Sequence, residues 1–120
     1  MFNLEIVGKA AERLTAFVND GAKILLDLDD GVGQFATGAA SCTMDTAFRL
    51  IIVDQAMATP DYQLAISSNI GTIYAKEHSK TMLISQMKLA YQPPFNQLAL
   101  TGLGEEIDPN VQIKNLYVHA

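Results

Sequence analysis

The sequence predicts an α+β domain that is mostly β, and three observations carry that prediction. A single stretch near the start repeats its apolar residues with helical period. Nearly every later segment is instead a short alternating or apolar run of strand length. Turn-forming residues punctuate those runs at intervals of roughly 8–12 residues. We therefore expect several short, mainly antiparallel strands and one early helix, in a single domain spanning residues 1–120.

Phe2 to Val7 alternates apolar and polar residues, as a half-buried strand does. From Gly8 the period changes: Ala10, Leu14, Phe17 and Val18 share one face, while Lys9, Glu12 and Arg13 fall on the other. Asn19-Asp20-Gly21 ends this helix, with Gly21 suited to the left-handed conformation beyond a C-cap. Lys23 to Leu28 reads as the next strand, with Leu25 and Asp27 on one face and Ile24, Leu26 and Leu28 on the other. Asp29-Asp30-Gly31 supplies turn chemistry, and residues 34–46, small and polar, read as a loop. Phe48 to Val53, apolar apart from Arg49, reads as a central strand closed by Asp54. Further strands are expected at Tyr62–Ser67, Gly71–Ala75, Met82–Tyr91, Gln97–Thr101 and Val111–Val118, with Gly102–Asn110 as a loop and with one helical turn over Met82–Met87 as the alternative to a strand there. Pro93-Pro94 breaks the Met82–Tyr91 run.

Composition narrows the function. A net charge of −5 repels a phosphate backbone, so no nucleic-acid partner is expected. No apolar run approaches the roughly 20 residues of a membrane span, and no signal peptide opens the sequence. One cysteine excludes an intrachain disulfide. We expect a cytoplasmic protein without a membrane partner.

The chemistry-bearing residues gather between Lys23 and Asp54. Gly31-Val-Gly33-Gln-Phe-Ala36 matches a loose dinucleotide fingerprint, with Asp54 about 20 residues on. Asp29 and Asp30 would oppose a pyrophosphate there, and no second βαβ unit follows, so we read a structural turn. Asp27, Asp29 and Asp30 invite a hard cation, yet the glycine falls one residue early for an EF-hand and Gly38 occupies the twelfth position. Cys42 alone cannot make a zinc site, and as a nucleophile it would need His78 as its base. Ser41 and Ser79 sit in no nucleophile-elbow context. We expect no enzymatic activity. The residues best placed to hold a metal ion are Cys42, Asp29 and Asp30, which makes a small metal-ion or small-molecule binding domain on the Asp29–Cys42 loop one reading of the chain.

The other reading comes from a resemblance. The order of strand, Ala10-Ala-Glu-Arg-Leu14 helix, Lys23-Ile-Leu-Leu-Asp-Leu28 strand and glycine turn is similar to the opening of the HesB-like, A-type iron–sulphur cluster carrier family. The resemblance implies that family's fold, an iron–sulphur cluster as its cofactor, and protein partners among iron–sulphur assembly components. It also implies a departure: Val32 stands where the family places its first cysteine, and residues 102–120 contain no counterpart of its C-terminal pair. Clusters are held by several thiolates, and one Cys42 per chain does not supply them. The expectation is a non-catalytic accessory or scaffold protein. A homodimer formed through an exposed strand edge is a further expectation.

Overall fold

A computed structural model of the chain describes residues 2–28 and 48–117. Within them, strand β1 (Phe2–Ile6), helix α1 (Gly8–Asn19) and strand β2 (Ala22–Leu28) open the fold, followed by β3 (Phe48–Asp54), β4 (Leu64–Ser68) and β5 (Ile73–Ala75). A 3₁₀ helix (Glu77–Met82) leads into β6 (Gln86–Gln92), β7 (Gln97–Gly102), β8 (Glu105–Asp108) and β9 (Gln112–Asn115). All nine strands join one sheet in the order β8-β7-β6-β1-β4-β5-β2-β3-β9. The class is α+β, mostly β, with the strand–helix–strand opening that the sequence predicts.

The helix forms for the reason its periodicity gives. Ala10 and Leu14 are fully buried, and Phe17 and Val18 pack half-buried on the same core. Gly21, at φ +106°, turns the chain out of the helix in a conformation that a side chain would strain. The core joins Leu14 to Leu4, Ile6, Ile24, Leu26, Leu50, Ile52, Ile66 and Leu89 on one face of the sheet. Because β2 and β3 are buried on both faces, a second cluster of Leu25, Ile51, Val53 and Tyr62 forms on the other. Near-continuous apolar runs in those two strands are what double-sided burial requires.

Beyond the 3₁₀ helix, which makes β6 begin at Gln86 and not at Met82, two features of the sheet differ from the expectation. Four neighbouring strand pairs are antiparallel and four are parallel (β1 with β4 and β6, β2 with β5, β3 with β9), so the sheet is evenly mixed rather than mainly antiparallel. Sequence alternation shows which face a residue takes and not which neighbour its strand selects. The second difference is β8, which occupies part of the expected 102–110 loop. Leu103 and Gly104 both take positive φ, 50° and 84°, and close a two-residue hairpin between Gly102 and Glu105. Such turns favour Asn-Gly, so Leu-Gly conceals the hairpin from a sequence reading. A Cβ on Gly102 would lie 2.8 Å from the Ile84 side chain, so only glycine lets the hairpin pack there.

The sheet must also curl. β8 and β9 are its two edges, yet only residues 109–111 connect them. Laid flat, nine strands would put the edges about 38 Å apart at ~4.8 Å per strand, whereas the link from Asp108 to Gln112 reaches only about 14 Å. Two buried hydrogen bonds secure the approach. The Val111 N–H donates to Leu98 O at 2.7 Å, and the Phe48 N–H donates to Asp108 Oδ2 at 2.7 Å. The other Asp108 oxygen accepts from the Asn110 N–H at 2.9 Å. Asp108→Ala leaves the Phe48 N–H buried without its charged acceptor. It should lower unfolding free energy by about 1.5–3 kcal/mol in urea titrations, and Asp108→Asn, which retains an acceptor, should cost less.

Candidate functional site

β2 ends and β3 begins at the same end of the sheet, so the two strands bring the borders of the intervening segment together. Their antiparallel register sets Asp27 directly opposite Arg49 and Leu28 opposite Phe48. Asp27 follows the alternation of Leu25 and so points to the sheet's second face, away from the α1 core. There its carboxylate is fully buried and surrounded by donors. Arg49 Nε donates to Oδ2 at 2.6 Å, the Tyr62 hydroxyl donates to Oδ1 at 2.7 Å, and Lys76 Nζ lies 3.1 Å from Oδ1. Lys76, just past β5, also donates to the Leu28 carbonyl at 3.1 Å. Its ammonium lies 6.0 Å from the centroid of the Tyr62 ring, at the limit of a cation–π contact.

Ionised groups survive burial only when they are paired and hydrogen-bonded. Asp27 meets that condition through both oxygens, which rules it out as a free ligand for a hard cation. Burial, followed by the hydrogen bond to Asp27 and its negative charge, pushes the Tyr62 phenol well above the usual phenol range, with Arg49 opposing. The phenol therefore stays neutral and keeps donating.

Tyr62 also connects this cluster to a hollow of about 770 Å³ between the start of β2, the start of β5 and the 55–63 loop. Lys23 holds that loop, its Nζ donating to Met57 O at 2.6 Å and to Thr59 Oγ1 at 2.9 Å. Tyr74, half-buried, forms another part of the wall. The described groups can bind and orient through hydrogen bonds. Among the described residues no three His, Cys, Asp or Glu side chains converge as metal ligands.

The predicted metal ligands Asp29, Asp30 and Cys42 lie outside the described residues, as do Gly31, Val32, Gly33 and Ser41. His78 is exposed on the 3₁₀ helix, while Ser79 is buried with its hydroxyl donating to Lys76 O at 2.6 Å. Asp54 is exposed at the end of β3, where its Oδ1 accepts from the Ala56 N–H at 2.8 Å and stabilises a turn. The sequence reading did not single out Arg49, Tyr62 or Lys76 as site residues. Arg49 had a signal, since it is the lone charge in an apolar run and mirrors Asp27 across the intervening segment. Tyr62 and Lys76 had none, because only the tertiary arrangement brings them to Asp27.

A strand–helix–strand opening carried into one curled mixed sheet, with a buried charge cluster where β2 ends and β3 begins, defines a class of small α+β domains. The family model described as iron-sulphur cluster biosynthesis matches residues 2–115, and the chain belongs to that family. Among solved structures, it is similar to a proposed Fe-S biosynthesis protein from Lactobacillus salivarius. The TM-score is 0.84 at 32% sequence identity, covering 98% of this chain and 100% of that one. A proposed Fe-S biosynthesis protein from Lactobacillus acidophilus is similar with a TM-score of 0.67 at 26% identity, over 95% of this chain and 90% of that one. A search of curated proteins finds no match.

Two outcomes follow from the cluster. Asp27→Ala leaves Arg49 and Lys76 facing a missing partner and should cost about 3–5 kcal/mol of stability, read from denaturant unfolding. Asp27→Leu combined with Arg49→Met, Lys76→Met and Tyr62→Phe, which replaces the whole cluster by apolar groups, should recover much of that loss. The second outcome concerns pH. A phenol whose folded-state pKa is raised stabilises the fold fully below its unfolded value of about 10, and that contribution disappears as pH rises above it. The unfolding midpoint should therefore fall through the alkaline range, and Tyr62→Phe should flatten the fall.

Proposed function

We propose that the chain is a non-catalytic accessory protein of iron–sulphur cluster biosynthesis, acting through contacts with assembly components rather than by holding a cluster on thiolates of its own. The observation that carries this reading is the donor set. The family match covers residues 2–115, but the whole sequence offers one thiol, Cys42, and Val32 stands in the glycine turn where the resembled carriers place a cysteine. A cluster is ordinarily held by several thiolates, and one per chain does not fit that demand. The buried carboxylate of β2, Asp27, is taken by Arg49, Lys76 and Tyr62. Buried cations and a phenol at this position favour a fixed strand register over exchangeable metal coordination.

Anaerobic reconstitution with ferrous iron and sulphide tests the proposal. After desalting, the protein should be colourless and retain no stoichiometric iron or acid-labile sulphide. A visible chromophore that survives desalting and disappears in Cys42→Ser would overturn the reading in favour of a carrier. Titration calorimetry with zinc and calcium addresses the other reading. Heat that vanishes in the Asp29→Ala, Asp30→Ala double variant would assign the chain to metal-ion binding instead.

A further inference from the structure

The hollow of about 770 Å³ beside Tyr62 has a charge character opposite to that of the whole chain. The protein carries 13 acidic residues against 8 basic ones, yet no carboxylate lines this hollow and one cation, Lys23, does. The sheet places further donors around that cation. Leu25 sits level with Tyr74 in the parallel β2–β5 pair. Lys23, two residues before Leu25, therefore shares a face with Tyr74 and stands level with Thr72. All three line the hollow. An ammonium has three N–H donors, and Lys23 spends two of them on Met57 O and Thr59 Oγ1. The half-buried Tyr74 hydroxyl has no hydrogen-bond partner among the described residues. One ammonium N–H, one phenol and one threonine hydroxyl thus border the same space, and no acidic side chain lines it to compete for them.

We propose that this hollow binds a small aromatic monocarboxylate, its carboxylate held by Lys23, Thr72 and Tyr74 and its ring set against the apolar wall. A single cation matches a single negative charge, whereas a phosphate dianion would keep an uncompensated charge there. The volume falls within the roughly 300–1,000 Å³ of small-molecule sites and exceeds what a carboxylate alone would fill. Ile24, Met57 and the Tyr62 ring offer apolar and aromatic surface for the rest of the ligand. An aromatic body suits this wall, because ring-to-ring contacts add to the gain from burial. The Tyr62 hydroxyl is engaged with Asp27, so that residue contributes its ring alone. Lys23 already ties down the loop that forms one wall, so a ligand meets a site largely in place and spends little on ordering it. The site stands apart from the accessory role proposed above, and each can fail without the other.

Amide NMR spectra of the full chain, titrated with benzoate, test the site. Saturable shifts should gather on residues 22–24, 55–59 and 71–74. Benzamide, which keeps the ring and loses the charge, should bind about tenfold more weakly. Lys23→Met should raise the benzoate dissociation constant about tenfold. Because Lys23 also holds the loop, Tyr74→Phe supplies a second variant that leaves the bonds from Lys23 to the loop in place. It removes a hydroxyl with no partner among the described residues and should raise the constant about threefold. Lys88→Met deletes an exposed cation of β6 outside the hollow and should leave the constant unchanged. Thermal unfolding by circular dichroism verifies that each variant is folded. Four results would each overturn the proposal: no saturation at millimolar benzoate, shifts centred on other residues, equal affinity for benzamide, or a constant indifferent to both Lys23→Met and Tyr74→Phe.

Discussion

The three residues joining β8 to β9 constrain everything else in the fold. They connect the two edges of a nine-stranded sheet, and so the sheet has to curl until those edges approach. The curl creates an inside for α1 to cover. It also brings Asp108, at the end of β8, to the first residue of β3, where the Phe48 N–H finds its carboxylate. Phe48 is thereby fixed, Arg49 follows it, and the antiparallel ladder from Leu28–Phe48 to Ala22–Asp54 runs in one register. The loop 109–111 and the Asp27 cluster lie far apart in sequence, but a single chain of contacts connects them.

The Asp27 cluster is better understood as a device for register than as a source of stability. An apolar replacement of a buried ion pair is frequently neutral or stabilising. A slip of one residue in a strand pair, however, turns every side chain to the opposite face. For β3 such a slip would drive the Arg49 guanidinium into the core that Leu50 and Ile52 now fill and leave Asp27 buried opposite Phe48 or Leu50. Either outcome costs far more than the pair itself contributes. Nineteen residues, 29–47, separate these two strands, so turn geometry alone does not set their alignment. The ion pair specifies it, with Lys76 and Tyr62 fixing the carboxylate from two further segments.

Much of this architecture was legible in the sequence because local physics determined it. The Ala10–Val18 stripe gave the helix, Gly21 its exit, and the apolar Phe48–Val53 run a strand buried on both faces. What escaped depended on partners distant in sequence. Parallel pairing of β1 with β4 and β6 leaves no trace in alternation. The Leu103-Gly104 turn lacks the usual residues for its geometry and was hidden for that reason. The charge cluster was half legible: Asp27 and Arg49 are each the lone charge in the apolar core of a strand, and their mirrored positions around one connection predict that they meet. Without the register, Asp27 was grouped with Asp29 and Asp30 as a prospective ligand. The structure gives Asp27 its own donors.

The pairing of Asp27 bears on what the family's fold does in this chain. A carrier needs exchangeable ligands, held loosely enough to release their cargo. Where β2 ends and β3 begins, this protein has a carboxylate, a guanidinium, an ammonium and a neutral phenol interlocked at hydrogen-bonding distances. Exchange there would expose a buried charge, so the site resists it. The sequence has one cysteine, and the proposed accessory role rests on surface recognition, which depends on the curled sheet and not on thiolates.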